Sequence, residues 1–163
     1  MTTKPLRHLK DLLDGFSTAM MITRSGDHSI HARPMAIAEI GEDGTIYFAT
    51  SLDSGKLREI EAEPKIALTL QDSSVYISIL GTAHPSTERA LIDRLWSAPM
   101  QIWFPEGKDD PSLVILKIEP QDDEYWDNSG ANSIRFGLSA LKAFVSGQTP
   151  DETSLAQHAK VQL

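Results

Sequence analysis

The chain has 163 residues, 40% apolar and 23% charged, which describes one soluble domain with its own core and excludes the disordered and fibrous classes. With 15 Lys plus Arg against 23 Asp plus Glu, the net charge is −8, so nucleic acid and anionic membrane are not expected partners. The absence of cysteine excludes disulfides, thiolate zinc sites and a cysteine nucleophile.

In chain order, the first expected element is a helix from Pro5 to Asp14. Leu6, Leu9, Leu12 and Leu13 recur at helical spacing, Thr3 can cap and Gly15 can end it. Lys4, Arg7 and Lys10 interrupt any apolar run, so this is not read as a signal peptide. No later stretch approaches the roughly 20 apolar residues of a membrane helix, and a cytoplasmic address is expected. Ala19 to Thr23 is a short apolar run before a turn at Ser25-Gly26-Asp27. His31 to Ile40 reads as a strand with apolar residues on both parities, the pattern of burial on both faces. Gly41-Glu42-Asp43-Gly44 is a hairpin loop, and Thr45 to Thr50 is the returning strand.

Ser54 to Ala62 reads as a short helix with Ser54 as N-cap and Leu57 and Ile60 facing inward, stopped by Pro64. Lys65 to Gln71 and Val75 to Ala83 alternate as strands around the turn at Asp72-Ser73-Ser74. A helix capped by Ser86 or Thr87 is expected up to Trp96, with Leu91 and Leu95 one turn apart. Leu113 to Ile118 is a strand interrupted by Pro120 and resumed at Glu124 to Asp127. Leu138, Leu141, Phe144 and Val145 predict a late amphipathic helix closed by Gly147. A single domain over residues 1–147 and a mobile tail over 148–163 follow. About six strands in hairpin-length steps suit a small antiparallel barrel with peripheral helices.

Three stretches can carry chemistry. Thr50-Ser51-Leu52-Asp53-Ser54-Gly55-Lys56 joins a strand end to a helix start. Helix-end amides, the hydroxyls of Thr50 and Ser54 and the charge of Lys56 can cradle a phosphate there. The same segment also reads as a plain capped helix with an exposed lysine. In His31-Ala32-Arg33-Pro34-Met35, the guanidinium can grip an anion bidentately, and Pro34 marks a broken ladder or a sheet edge. Arg33 equally suits a surface ion pair. Trp103-Phe104-Pro105-Glu106-Gly107-Lys108-Asp109-Asp110-Pro111 sets two aromatics before a charged turn, either to cover a planar ligand or dimer interface or to anchor the loop on the core. The five histidines, His8, His28, His31, His84 and His158, show no HxH or HExxH spacing, so no metal site is expected. There is no GxSxG elbow.

Several short segments then fall in a familiar order: Ala32-Arg33-Pro34-Met35, Ile46-Tyr47-Phe48-Ala49-Thr50, Ser54-Gly55-Lys56-Leu57, Gly81-Thr82-Ala83, Trp96, the Trp103–Pro111 string and Glu124-Tyr125-Trp126-Asp127. On these the chain resembles the pyridoxamine 5′-phosphate oxidase-like FMN-binding split barrels, in particular the bacterial general stress protein branch. The match covers roughly Leu6 to Asp127, and the Trp103–Pro111 string is its most specific part.

The resemblance implies a mainly β fold, a six-stranded antiparallel split barrel with peripheral helices. It also implies a homodimer with FMN at the subunit interface. By position, Arg33 and Lys56 would meet the FMN phosphate, aided by Thr50, Ser51 and Ser54. Pro34, Met35 and Ala49 would present backbone near the isoalloxazine ring, and Trp103 and Trp126 would be wall residues, supplied by the same chain or by the partner subunit. The implied function is an FMN-dependent oxidoreductase with NAD(P)H as donor. Alternatives are a flavin carrier or sensor without turnover, a split barrel holding F420 or haem, and an interaction module. The oxidases of the family that make pyridoxal phosphate finish with an Arg-Leu-x-Pro segment, whereas this chain reads Ala159-Lys160-Val161-Gln162-Leu163. Vitamin B6 oxidation is therefore not expected. No catalytic acid or base is nominated, because the flavin ring carries the redox step.

Overall fold

A computed structural model of the chain describes residues 4–129 and 157–162. Helix α1 (Lys4–Leu13) buries Leu9 and Leu13, one turn apart, against the barrel. Strand β1 (Thr18–Arg24) and strand β2 (Ile30–Ala36) form the first hairpin. The short β3 (Glu39–Ile40) turns through Gly41–Gly44 into β4 (Ile46–Ser51), and Gly44 takes the positive φ of 85° that this turn requires. Helix α2 (Gly55–Ala62) follows, with Leu57 and Ile60 buried. The hairpin of β5 (Lys65–Gln71) and β6 (Val75–Ser86) is closed by Asp72, whose Oδ1 accepts the amides of Ser74 and Val75, each at 2.7 Å. Helix α3 (Arg89–Leu95), two 3-10 turns (Ala98–Ile102 and Gly107–Asp109), β7 (Leu113–Asp127) and β8 (Gln157–Gln162) complete the described chain.

All pairings are antiparallel, in the order β2-β1-β5-β6-β7-β4-β3, with β8 alongside β7. The sheet curls into the split barrel expected from the resemblance. Its interior is filled by alternate residues such as Met21, Phe48, Leu68, Ile79 and Leu116. A second, smaller cluster gathers Ile92, Leu95, Phe104, Leu113 and Ile115 beneath the 97–111 segment. No helix among the described residues is long and apolar enough to cross a membrane.

Several expectations need correction. Seven strands, not six, run across the sheet, because the 31–40 stretch divides into β2 and β3 and β8 adds an eighth beside β7. The same stretch is not buried on both faces: β2 is an edge strand, and Ala32, Pro34 and Ala36 are exposed on the single chain. The β1–β2 register passes unbroken through Pro34; of the two readings of this proline the sheet edge holds, since among the described residues β2 pairs with β1 alone. Helix α3 starts at Arg89, after Glu88 rather than Ser86 or Thr87, because β6 continues to Ser86; it buries Ile92 and Leu95, while Leu91 is only half-buried.

Pro120 does not interrupt β7. Leu80 faces Asp122 while Gly81 faces Pro120, so Gln121 is an extra residue and the strand bends through a bulge. A Cβ on Gly81 would lie 2.7 Å from the Glu119 carbonyl oxygen, so the close approach needs glycine. The bulge also exchanges faces: Val114, Leu116 and Ile118 point inward before it, and Asp123, Tyr125 and Asp127 after it.

Strand β4 covers β7 only from Leu113 to Ile118, and β8 pairs with the open edge from Asp122 to Asp127. Part of the expected tail is thus a strand. The helix predicted over 138–145 lies outside the described residues.

Candidate functional site

The anion cradle forms where β4 ends and α2 begins. Ser54 holds the N-cap position in an extended conformation (φ −73°, ψ 137°), yet its side chain does not cap the helix. Its hydroxyl lies 3.4 Å from Thr50 Oγ1 instead, so the α2 end keeps amides without a side-chain partner. Lys56 Nζ donates to Thr50 Oγ1 at 2.8 Å. Burial, and then the positive charge of Arg33, lower the Lys56 ammonium below its ordinary pKa, while Glu59 pulls it back up. A Cβ on Gly55 would meet nothing within 4 Å, so no packing contact demands glycine there and the space beside it is open.

The cradle lines a cleft of about 650 Å³. One wall is the β2 end and the turn after it, from Pro34 to Ala38, and a second is Ala49, Thr50 and Ser51 of β4. The third comes from the 97–104 segment through Ser97, Pro99, Met100, Trp103 and Phe104. Among the described residues, Lys56 is the only ionisable one lining it. The rest is small hydroxyls and apolar groups, a composition suited to a flat, mostly apolar ligand with an anionic tail.

Trp103 and Phe104 adopt opposite roles. Phe104 is 4% exposed within the smaller core, whereas Trp103 is 79% exposed at the cleft rim beside Ile102, 77% exposed. Phe104 therefore anchors the segment on the core, while Trp103 leaves its ring open at the cleft. The charged turn that follows is fastened to α3: Arg89 Nη1 donates to the Lys108 carbonyl at 3.0 Å and to Asp109 at 2.6 Å, and Lys108 lies 3.4 Å from Asp93.

Of the residues expected at the site, Pro34, Met35, Ala49, Thr50, Ser51, Ser54, Lys56 and Trp103 all line the cleft. Arg33 does not. It points to the inner side of β2, where Nη1 donates to Thr23 Oγ1 at 2.8 Å and Nη2 to Glu59 Oε2 at 2.9 Å. Trp126 also lies apart from the cleft on this chain, beyond the β7 bulge, opposite Tyr76 of β6 and His158 of β8. Sequence reasoning missed Met100, Pro99 and Ser97. Their only signal was proximity to the Trp103–Pro111 string.

It also missed Glu59. This α2 carboxylate accepts Thr23 Oγ1 at 2.5 Å, Arg33 at 2.9 Å and lies 2.6 Å from His31 Nδ1. Burial alone would raise its pKa, but those hydrogen bonds and the Arg33 charge outweigh it and hold the carboxyl at about 2. No group of three or more His, Asp or Glu residues among those described could hold a metal ion.

With this geometry in view, comparison with known proteins gives one consistent answer. The family model described as pyridoxamine 5′-phosphate oxidase like matches residues 4–151. General stress protein 26 of Bacillus subtilis is 38% identical over 97 residues, 56% of this chain and 67% of that protein. A Jannaschia sp. CCS1 structure, provisionally described as general stress protein 26, superposes with a TM-score of 0.74 at 25% identity, covering 99% of this chain and 100% of the other. The general stress FMN/FAD binding protein from Xanthomonas citri gives 0.68 at 28% identity, covering 78% and 92%.

Proposed function

Since the chain belongs to the pyridoxamine 5′-phosphate oxidase-like family, in its general stress protein branch, we propose that it binds FMN and works as a flavin-dependent oxidoreductase in a homodimer. The observation that carries this is the placement of Lys56 and the α2 end, which Ser54 does not cap, beside a cleft whose other described lining is small hydroxyls and apolar groups. On a chain of net charge −8 such a concentration of positive potential needs a ligand that repays it. A phosphate monoester on a planar ring system does so. Lys56, Thr50, Ser51, Ser54 and the α2 amides would hold the phosphate. The chain from Pro34 to Ala36 and Ala49 would flank the ring, with Trp103 at its edge.

A bound flavin supplies reversible hydride and electron transfer. The protein's part is to bind, orient and shield it, which agrees with a lining that, among the described residues, has no carboxylate or imidazole. That lining also favours a second reading, a flavin carrier or sensor without turnover. NADH or NADPH is the proposed electron donor and the cytoplasm the proposed address. The exposure of Trp103 and Ile102 at the cleft rim supports a second subunit completing the site, and the same partnership would bring Trp126 into use.

The purified protein should be yellow and release FMN, rather than FAD or F420, on heating. A colourless protein that gains no signal on FMN titration would end the proposal. Anaerobic mixing with NADH and with NADPH separates enzyme from carrier: bleaching of the flavin band marks the enzyme, and no bleaching with either marks the carrier. Lys56→Ala should weaken FMN roughly ten-fold or more while leaving riboflavin nearly unchanged, because the lost contact is charge-assisted and directed at phosphate. Equal weakening of both ligands would move the phosphate seat elsewhere.

A further inference from the structure

Asp123 is 1% exposed on the inward face of β7, and it lines a cavity of about 200 Å³ between α1 and the barrel. Its Oδ1 has no hydrogen-bond partner among the described residues. Arg7 of α1 lines the same cavity from the exposed side, and it makes no ion pair among the described residues. Two opposite charges thus share one cavity without pairing. The other charges nearby are engaged or of the same sign as Asp123. Lys10 is held by Asp14 at 3.2 Å and by Glu42 at 3.6 Å. Asp127, farther along the same face beside Tyr125, is held by His8 and Ser129. Asp122 adds a further negative charge next to Asp123, and β8 sets Val161 opposite it in the ladder. Leu9, Leu13 and Ile79 supply apolar walls. A buried carboxylate without a donor destabilises the fold that carries it, and this cavity has room for roughly seven waters. It shares no lining residue with the flavin cleft, so its ligand is independent of the flavin proposal.

We propose that the cavity beneath α1 is a second binding site, for a short ω-amino acid whose ammonium meets Asp123 and whose carboxylate meets Arg7. Each end of such a zwitterion brings the charge that the protein group lacks. Its methylene stem suits Leu9, Leu13 and Ile79. Exposure sets the direction: Asp123 is deep and Arg7 is at the surface, so the ammonium enters first. A plain alkylamine leaves Arg7 unmatched, and a plain carboxylate is repelled by Asp123.

Isothermal titration calorimetry on the full chain tests this, with 4-aminobutyrate, butylamine and butyrate as the probes. 4-Aminobutyrate should bind, and each singly charged analogue should bind roughly ten-fold or more weakly by comparison. Asp123→Asn and Arg7→Gln should each lose roughly ten-fold or more in affinity for 4-aminobutyrate. Asp123→Asn keeps the side-chain shape and removes a buried charge, so its loss of binding would not come from unfolding. Burial and Asp122 hold the Asp123 carboxyl of the free protein at about 7, so at lower pH an arriving ammonium must displace a proton. Affinity should therefore rise close to ten-fold per pH unit between about pH 5 and 6.5 and level off above pH 7. A purely structural role for Asp123 would produce no such profile. If 4-aminobutyrate at millimolar concentration gives neither heat nor thermal stabilisation at pH 8, the site is not one for ω-amino acids and the inference fails. Binding that Asp123→Asn leaves intact overturns it too. Butyrate binding as tightly as 4-aminobutyrate would leave Arg7 as a surface anion contact, and equal binding of butylamine would remove Arg7; either result overturns the zwitterion site.

Discussion

Glu59 on α2 and Asp123 on β7 are carboxylates withdrawn from water at two ends of one barrel, and their surroundings are opposites. Glu59 meets a hydroxyl, a guanidinium and an imidazole, drawn from β1 and β2. Asp123 is 1% exposed beneath α1, beside a cavity of about 200 Å³ lined by Arg7, Leu9, Lys10, Leu13, Glu42, Gly44 and Ile79. Its Oδ1 has no hydrogen-bond partner among the described residues. Burial, and then the charge of Asp122, push its pKa up to about 7, whereas Glu59 is held at about 2. Burial acts in the same direction on both. The supply of donors decides the outcome. Asp127, four residues along on the inward face of β7, behaves like Glu59: His8 and Ser129 hold it, and its pKa is lowered despite burial.

The largest expected effect comes from the end without donors. The folded pKa of Asp123, about 7, lies above its ordinary 3.8, so the folded state is penalised progressively as pH rises from about 4 to 7 and by a constant amount above that. Asp123→Asn removes the charge. It should stabilise the protein by up to about 4 kcal/mol at pH 8 and by almost nothing at pH 4, as read from urea unfolding at the two pH values. An equal gain at both would place its origin in packing rather than charge and dissolve the contrast with Glu59.

The next effect comes from stripping the other end of its donors. Arg33→Ala leaves the Glu59 carboxylate inside the wall with its main counter-charge gone, and it should cost about 2–3 kcal/mol at pH 7, below the range for fully buried pairs because both partners keep some solvent contact. Arg33→Gln/Glu59→Gln should cost less than about 1 kcal/mol, since no charge is left behind. If the double variant is as unstable as Arg33→Ala, the pair is a true stabiliser and not a self-compensating unit.

Neither carboxylate was legible in the sequence, for two different reasons. The partners of Glu59 lie 36, 28 and 26 residues upstream, so only the folded sheet brings Thr23, His31 and Arg33 to it. Asp123 sits in Gln121-Asp122-Asp123-Glu124 just after Pro120, which reads as a polar break in a strand. The one-residue bulge at Gln121 keeps the strand going and turns its odd-numbered residues inward. What was legible depended on local pattern. Lys65–Gln71 matches β5 residue for residue, and α2 lies where Leu57, Ile60 and Pro64 put it. The cleft lining was largely legible too, because its polar residues are contiguous at the β4–α2 junction. Arg33 was read as meeting a phosphate with Lys56, but on the folded chain it is not part of the cleft lining and its guanidinium donates to Thr23 and Glu59, a pairing the sequence alone could not place.

The smallest effect concerns the hydroxyl that joins the two sides of the Glu59 cluster. Thr23 donates to Glu59 and accepts from Arg33, so Thr23→Val keeps the shape of a buried strand residue while deleting both roles. The expected loss is about 1 kcal/mol at pH 7. Its pH dependence is the informative part. The folded pKa of Glu59 is depressed from 4.5 to about 2, so the stability this carboxylate contributes is present above about 4.5 and disappears as pH falls through that window. Part of that contribution comes through the Thr23 hydroxyl. The penalty for Thr23→Val should therefore shrink between pH 5 and pH 2.5 in urea unfolding, and the slope that Asp123 sets between pH 5 and pH 7 should stay as in the wild type. A penalty that persists undiminished in acid would show that Thr23 matters to packing of β1 against β2. The low pKa of Glu59 would then rest on Arg33 and His31 alone.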